Sequence, residues 1–179
     1  IFELEQLLHP RGFDLKTPKD FPDTLDVDET GSTFIENASL KAIAQAKHRG
    51  MWTIGEDSGL CVVALDGAPG VISARFSGTG ATDESNNQLL LQRMKDIPMD
   101  RRQAYYVSTI ALSDPDGIIH IESAGECWGT ILQEYRGQGG FGYDPLFEIG
   151  EYHQTFAEMG VAVKRAISHR ARSLRGFLR

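Results

Sequence analysis

Three observations predict an α/β fold. Helix-like and strand-like runs alternate through the first half of the chain. Two long strand-like runs, residues 104–112 and 118–128, flank the turn Asp114-Pro115-Asp116-Gly117. A hydrophobic share of 41% beside a charged share of 24% is that of an ordinary soluble globular protein with a core to build. The order predicts an α/β structure with a mixed sheet and flanking helices. At 179 residues, positions 1–179 read as one domain with room for two lobes.

Residues 1–8 read as a helix with Leu4, Leu7 and Leu8 on one face. Arg11-Gly12 ends it, and residues 13–15 read as a short strand. Residues 16–31 are polar, acidic and proline-bearing, hence a loop. Thr33-Phe34-Ile35-Glu36 has the pattern in which a Thr and a Glu cap each other's backbone. It opens a helix through Ala38, Ala42 and Ala46 that stops near Gly50. Residues 52–54 and 60–65 read as short strands around an acidic turn. Asp66-Gly67-Ala68-Pro69-Gly70 is a turn, and residues 73–77 are a short strand or irregular. Residues 83–94 read as a helix with Leu89, Leu90 and Met94 inward. Residues 104–112 and 118–128 form a long antiparallel hairpin. Glycine-rich loops fill 135–143, and a final helix carries 166–178.

The formal net charge of −7, from 18 basic and 25 acidic residues, argues against a nucleic-acid polymer as the ligand. A small polyanion is not excluded, because a few cations and a metal can hold it locally. Cys61 and Cys127 sit in apolar runs without metal-ligand spacing, which reads as two reduced core thiols in a cytoplasmic protein. No run approaches the roughly 18 apolar residues of a membrane span.

Three segments carry chemistry. Gly55-Glu56-Asp57-Ser58-Gly59-Leu60 sets two adjacent acids between glycines. Adjacent side chains on an extended strand point to opposite faces, so the acids divide their work. One can hold Mg²⁺ or orient water, and the glycines leave room for a bulky ligand. The plain alternative is a solvated acidic turn. Asp26, Asp28 and Glu29 could add oxygen ligands for a hard cation, or could be surface charge. Gly139-Gly140-Phe141-Gly142-Tyr143-Asp144-Pro145 offers aromatic faces to a planar base, or is a loop with core aromatics. Lys164, His169 and Arg170 can serve an anion or a base near a helix start, with Ser168 as cap or anion contact. The three segments together suit a flat base that carries a polyanion.

In combination these motifs resemble the inosine triphosphate pyrophosphatase family in its bacterial form. The resemblance rests on Glu29-Thr30-Gly31-Ser32-Thr33-Phe34-Ile35-Glu36-Asn37-Ala38, Asp57-Ser58-Gly59-Leu60 and Gly67-Ala68-Pro69-Gly70-Val71. It also rests on Ser73-Ala74-Arg75, the run Gly139 to Pro145, and Ser168-His169-Arg170, all in the family's order.

The resemblance implies Mg²⁺-dependent hydrolysis of ITP, dITP and XTP to the monophosphate and pyrophosphate. It implies an elongated fold around a long mixed sheet, a cleft between two lobes, and a homodimer. By position, Asp57 looks like the general base and a metal ligand, and the second metal acid falls at Asp28 or Glu29. Ser58, Phe141, Gly142, Tyr143, Asp144, Lys164, His169 and Arg170 look like substrate contacts. Many members have Ala-Asp-Asp where this chain has Gly55-Glu56-Asp57. The family also opens with a strand and a Thr-Gly-Asn-x-x-Lys loop that grips the triphosphate. The chain starts after that loop, so a strand-wide gap in the sheet, or chain outside 1–179, is expected. Two alternatives remain: a purine-nucleotide-binding protein without turnover, and a Maf-like pyrophosphatase of different base preference.

Overall fold

In the computed structural model, residues 9–178 are described. The helix expected over 1–8 lies outside them. The strand expected at 13–15 does not form; residues 12–17 are irregular, and a single 3₁₀ turn, Pro18–Asp20, follows. Phe13 is 61% exposed there, so no burial rewards pairing.

Helix α1 is Phe34–Arg49. Its cap forms as expected: Glu36 N–H donates to Thr33 Oγ1 at 3.3 Å, and Thr33 N–H donates to Glu36 Oε2 at 3.0 Å. Gly50 ends the helix in the left-handed conformation. Ala38, Ala42 and Ala46 are fully buried, so a thin alanine face lies on the sheet.

That closeness explains a departure from expectation. The segment expected as two short strands around an acidic turn is one strand, β1, Thr53–Val62. Gly55 and Gly59 are not there to admit a ligand. A Cβ on Gly55 would run into the Ala38 carbonyl oxygen and stand 2.7 Å from Ala42 N. A Cβ on Gly59 would stand 2.7 Å from Gly70 O and 2.8 Å from Phe34 Cε1. The glycines let α1 and the following 3₁₀ turn, Gly70–Arg75, touch the strand backbone. That turn occupies most of the segment read as strand or irregular.

Helix α2, Asp83–Arg93, buries Leu90, while Met94 caps it from within the core and Leu89 is only half-buried. Strands β2, Gln103–Ser113, and β3, Ile119–Ile131, form the expected hairpin. Two short strands follow, β4, Phe147–Ile149, and β5, Gln154–Thr155. The sheet order is β1-β2-β3-β4-β5, and every pairing among the described residues is antiparallel. The expected mixed sheet is therefore met in its antiparallel part. The final helix is broken in two: α3, Val161–Ile167, and α4, His169–Phe177. Ser168 is extended; it ends α3 and caps α4 by accepting from Ala171 N–H at 3.3 Å.

The two sheet faces have different covers. Ala111 packs under Ala38 and Ala42 of α1, and its neighbour Ile110 packs under Leu174 and Phe177 of α4. The main core, with Leu60, Val62, Leu90, Tyr106, Phe147 and Phe156, fills the other end of the sheet. Among the described residues no helix is long and apolar enough to cross a membrane. Cys61 and Cys127 are buried free thiols, and burial pushes the Cys127 thiol up to about 11.

Candidate active site

Strand β1 divides its acids between the two faces, as alternation requires. Asp57 faces α1. It is 8% exposed, accepts from Lys41 Nζ at 2.8 Å, and lies 3.4 Å from Asn37 Nδ2. Lys41 also reaches Glu29 Oε1 at 3.0 Å, so one ammonium joins two carboxylates. Arg75 donates to the other Glu29 oxygen at 3.2 Å. Burial opposes ionisation of Glu29, but Lys41 and Arg75 prevail and hold its carboxyl below the usual range. Asp28 is exposed, and its carboxylate has no partner among the described residues. Of the two acids left open by the sequence, Glu29 is the one beside Asp57.

The sequence reading missed Lys41 and the role of Asn37. Their spacing held the signal: positions 37 and 41 share a helix face with buried alanines on either side, where a polar pair needs a reason. Asn37 is fully buried and also accepts from Gly31 N–H at 2.8 Å, which ties the loop before α1 to the acids.

Glu56 and Ser58 face α4. Arg170 donates from Nε to Glu56 Oε1 at 2.6 Å and from Nη2 to Ser58 Oγ at 3.1 Å. Its guanidinium stands 5.9 Å from the Phe141 ring centre, and Lys164 Nζ stands 4.5 Å from it. Phe141 is 61% exposed, an open ring flanked by two cations.

The aromatics of this loop were expected to act alike, and they do not. Tyr143 is 3% exposed and its hydroxyl donates to Ser73 O at 2.8 Å. Its ring belongs to the core, and burial drives its phenol pKa upward. Asp144 is also buried; it pairs with Lys164 and accepts from Phe141 N–H at 3.0 Å. A Cβ on Gly140, whose φ is +79°, would collide with that carboxylate. Gly142 N–H donates to Asp83 Oδ2 at 2.7 Å and its carbonyl accepts from Asn87 Nδ2 at 2.8 Å, so α2 holds the loop. The amides of Phe141 and Gly142 are thus already used within the protein.

His169 is 6% exposed and stacks on Tyr106, with centres 4.9 Å apart at 13°. Its Nδ1 is buried without a partner. Burial, then the charges of Arg170 and Lys164, hold its pKa down to about 3, so the ring is neutral at ordinary pH. The fold favours the neutral form of a base whose ordinary value is 6.5. Its contribution to stability is complete above about pH 6.5 and is lost as pH falls toward 3. Melting temperature followed from pH 7 to pH 4 should fall less for His169→Phe than for the parent. Parallel curves would mean that His169 does not shift its proton affinity on folding.

Among the described residues, no group of three or more His, Cys, Asp or Glu side chains gathers as a metal site. The pair Glu29 and Asp57, hard oxygen donors already sharing one cation, does fit Mg²⁺, which is commonly held by one or two carboxylates plus substrate phosphates.

An antiparallel α/β sheet with an acid on each face of its first strand, and an open ring between two cations, defines the class of protein. The whole chain, residues 1–179, matches the Ham1 family, and it belongs to that family. It is 49% identical over 178 residues to the dITP/XTP pyrophosphatase of Rhodopirellula baltica, covering 99% of this chain and 86% of that protein. It is 47% identical over 177 residues to the dITP/XTP pyrophosphatase of Thermus thermophilus, covering 98% and 84%. The solved HAM1 protein from Coxiella burnetii superposes with a TM-score of 0.90 at 37% identity, covering 99% of this chain and 90% of that one. The family expected from the motifs and the family found agree.

Proposed function

We propose that the chain is a Mg²⁺-dependent pyrophosphohydrolase that converts dITP, ITP and XTP to the monophosphate and pyrophosphate. The single observation that carries this reading is that adjacent residues of β1 each start a charged cluster, Glu29–Lys41–Asp57 from Asp57 on one face and Ser58–Arg170–Phe141–Lys164 from Ser58 on the other. The first offers carboxylates and a cation to phosphates, and the second an open ring and cations to a base. Relatives nearly half identical over almost the whole chain are named dITP/XTP pyrophosphatases.

Water attacks the α-phosphorus; the bond to the oxygen bridging to the β-phosphorus breaks, and pyrophosphate leaves. Asp57 takes the proton of the attacking water. Lys41 and Lys164 offset phosphate charge, and Phe141 stacks on the base. Glu29 and Asp57 would hold Mg²⁺, which supplies charge neutralisation at phosphate oxygens. A 6-oxo purine accepts a hydrogen bond where adenine donates one, so a placed donor discriminates between them. Arg170 and His169 are the donors for it, since the Phe141 and Gly142 amides are engaged. A homodimer in the cytoplasm fits two reduced thiols and an exposed Trp128, 51% accessible, whose ring is tilted at 31° against Tyr105.

Pyrophosphate release from dITP, ITP, XTP, ATP and GTP, with and without Mg²⁺, tests the reading. dITP, ITP and XTP should turn over well above ATP and GTP, and only with the metal; the donor to the 6-oxo group accounts for the rejection of ATP. Equal rates on ATP, or orthophosphate as the first product, would overturn it. The same preparation should sediment at twice the 19.8 kDa of the chain.

A further inference from the structure

Adjacent acids on a catalytic strand invite the assumption that both serve one metal. The geometry assigns Glu56 elsewhere: we infer that Glu56 is a positioning residue that holds the guanidinium of Arg170 and so sets discrimination between 6-oxo and 6-amino purines. The inference deepens the proposed function and rests on it.

Glu56 lies on the α4 face of β1, whereas Asp57 with Lys41 lies on the α1 face. The acid at 56 is therefore across the sheet from the Glu29–Asp57 pair. Its Oε1 accepts from Arg170 Nε at 2.6 Å and from Ser108 Oγ at 3.1 Å. Ser108 is fully buried and lies 3.0 Å from the equally buried Ser173 of α4. The carboxylate thus has a fixed footing rather than a free swing in solvent.

Arg170 is the second residue of α4, whose start is pinned by the Ser168 cap. Its Nε and Nη2 lie on one edge of the planar guanidinium. Glu56 takes the first and Ser58 the second, so both rotation and tilt of the plane are set. The N–H groups of Nη1 have no partner among the described residues. The plane so fixed is the one that stands by the open Phe141 ring, where a base would stack. Without Glu56, Ser58 would be the one hydrogen-bond acceptor left to the guanidinium among the described residues, and one hydrogen bond does not orient the plane.

The rival is a solvated ion pair. Glu56 and Arg170 are 36% and 38% exposed at the side chain, and solvated pairs of that kind contribute little to stability. That rival predicts no change in base preference, which is where the test lies.

Measure kcat/KM on ITP and on ATP for the parent, Glu56→Ala, Glu56→Gln, Arg170→Ala and the Glu56→Ala/Arg170→Ala double variant, with a melting temperature for each. Glu56→Ala should lower kcat/KM on ITP about tenfold and narrow the ITP-to-ATP ratio by a similar factor. Glu56→Gln keeps an acceptor oxygen in place and should recover most of the loss. In the Arg170→Ala background, Glu56→Ala should have no further effect, because its route is gone. An unchanged ITP-to-ATP ratio in a Glu56→Ala protein of parental melting temperature would overturn the inference. So would the same fold-loss from Glu56→Ala in both backgrounds. If the parent shows no preference for ITP, the proposed function itself fails; if it does, the cycle judges Glu56 alone.

Discussion

Asp57→Asn is expected to lower turnover on dITP roughly 10²–10⁴-fold while the protein remains folded. The substitution keeps the shape and removes both the base and one metal oxygen's charge. Folding should survive because Lys41 keeps Glu29 at 3.0 Å, so no ammonium is stranded. The amide can also still meet Asn37, now 3.4 Å from the carboxylate. Circular dichroism and a melting curve establish the fold; pyrophosphate release then reads the chemistry. A folded variant with more than a tenth of parental turnover would remove Asp57 from its role. Glu29→Gln made alongside should raise the Mg²⁺ concentration needed for half-maximal rate, and Asp28→Asn should leave it unchanged. The contrast follows from position: Glu29 shares Lys41 with Asp57, and Asp28 faces solvent.

The legibility of this chain in its sequence was uneven for physical reasons. Thr33 and Glu36 named their helix because capping is local chemistry, readable within four residues. The 114–117 turn named its hairpin likewise. The run from Gly55 to Gly59 misled, because glycine and acid suggest a turn whereas here glycine serves a helix packed on a strand. Only the tertiary contact with Ala38 and Ala42 makes it a strand. The break at Ser168 was half legible: the serine read as a cap near a helix start, which it is, while residues 166–178 read as one helix. The separation of Phe141 from Tyr143 depends on a hydroxyl bond to Ser73, 70 positions away, and no local pattern carries that. The alternation of Glu56 and Asp57 was legible, since period two needs nothing but an extended backbone.

Arg102→Met is expected to cost about 3–5 kcal/mol of stability, through hydrogen bonds lost at buried carbonyls. Arg102 is 1% exposed, yet no carboxylate meets it. Its guanidinium donates only to main-chain carbonyls: Met94 O at 2.6 Å, Ile131 O at 2.7 Å, Leu132 O at 2.9 Å and Ile97 O at 3.2 Å. Burial draws its pKa down, but a guanidinium stays charged in proteins. Met94 and Ile97 follow the last turn of α2, where carbonyls lack intrahelical partners and the helix dipole favours a cation. Ile131 ends β3 and Leu132 follows it, so one side chain ties a helix end to a strand end. Methionine would fill the volume but donate nothing: Met94 O would keep Ile97 N–H at 3.0 Å, while the carbonyls of Ile97, Ile131 and Leu132 would lose their guanidinium donor, at about 1–3 kcal/mol for each that water cannot reach. Lysine would not rescue it, because one ammonium cannot serve carbonyls spread around a planar fork. The urea midpoint should fall with an unchanged slope, and the melting temperature should drop by about 10 °C. A loss below about 1 kcal/mol would mean that the carbonyls find water and the tie is dispensable. The consequence reaches the active site through α2 itself. The helix that Arg102 anchors at one end holds Gly142 at the other, through Asp83 and Asn87. KM for dITP should therefore rise in Arg102→Met before the protein unfolds, as the Phe141 loop loosens from a helix no longer pinned.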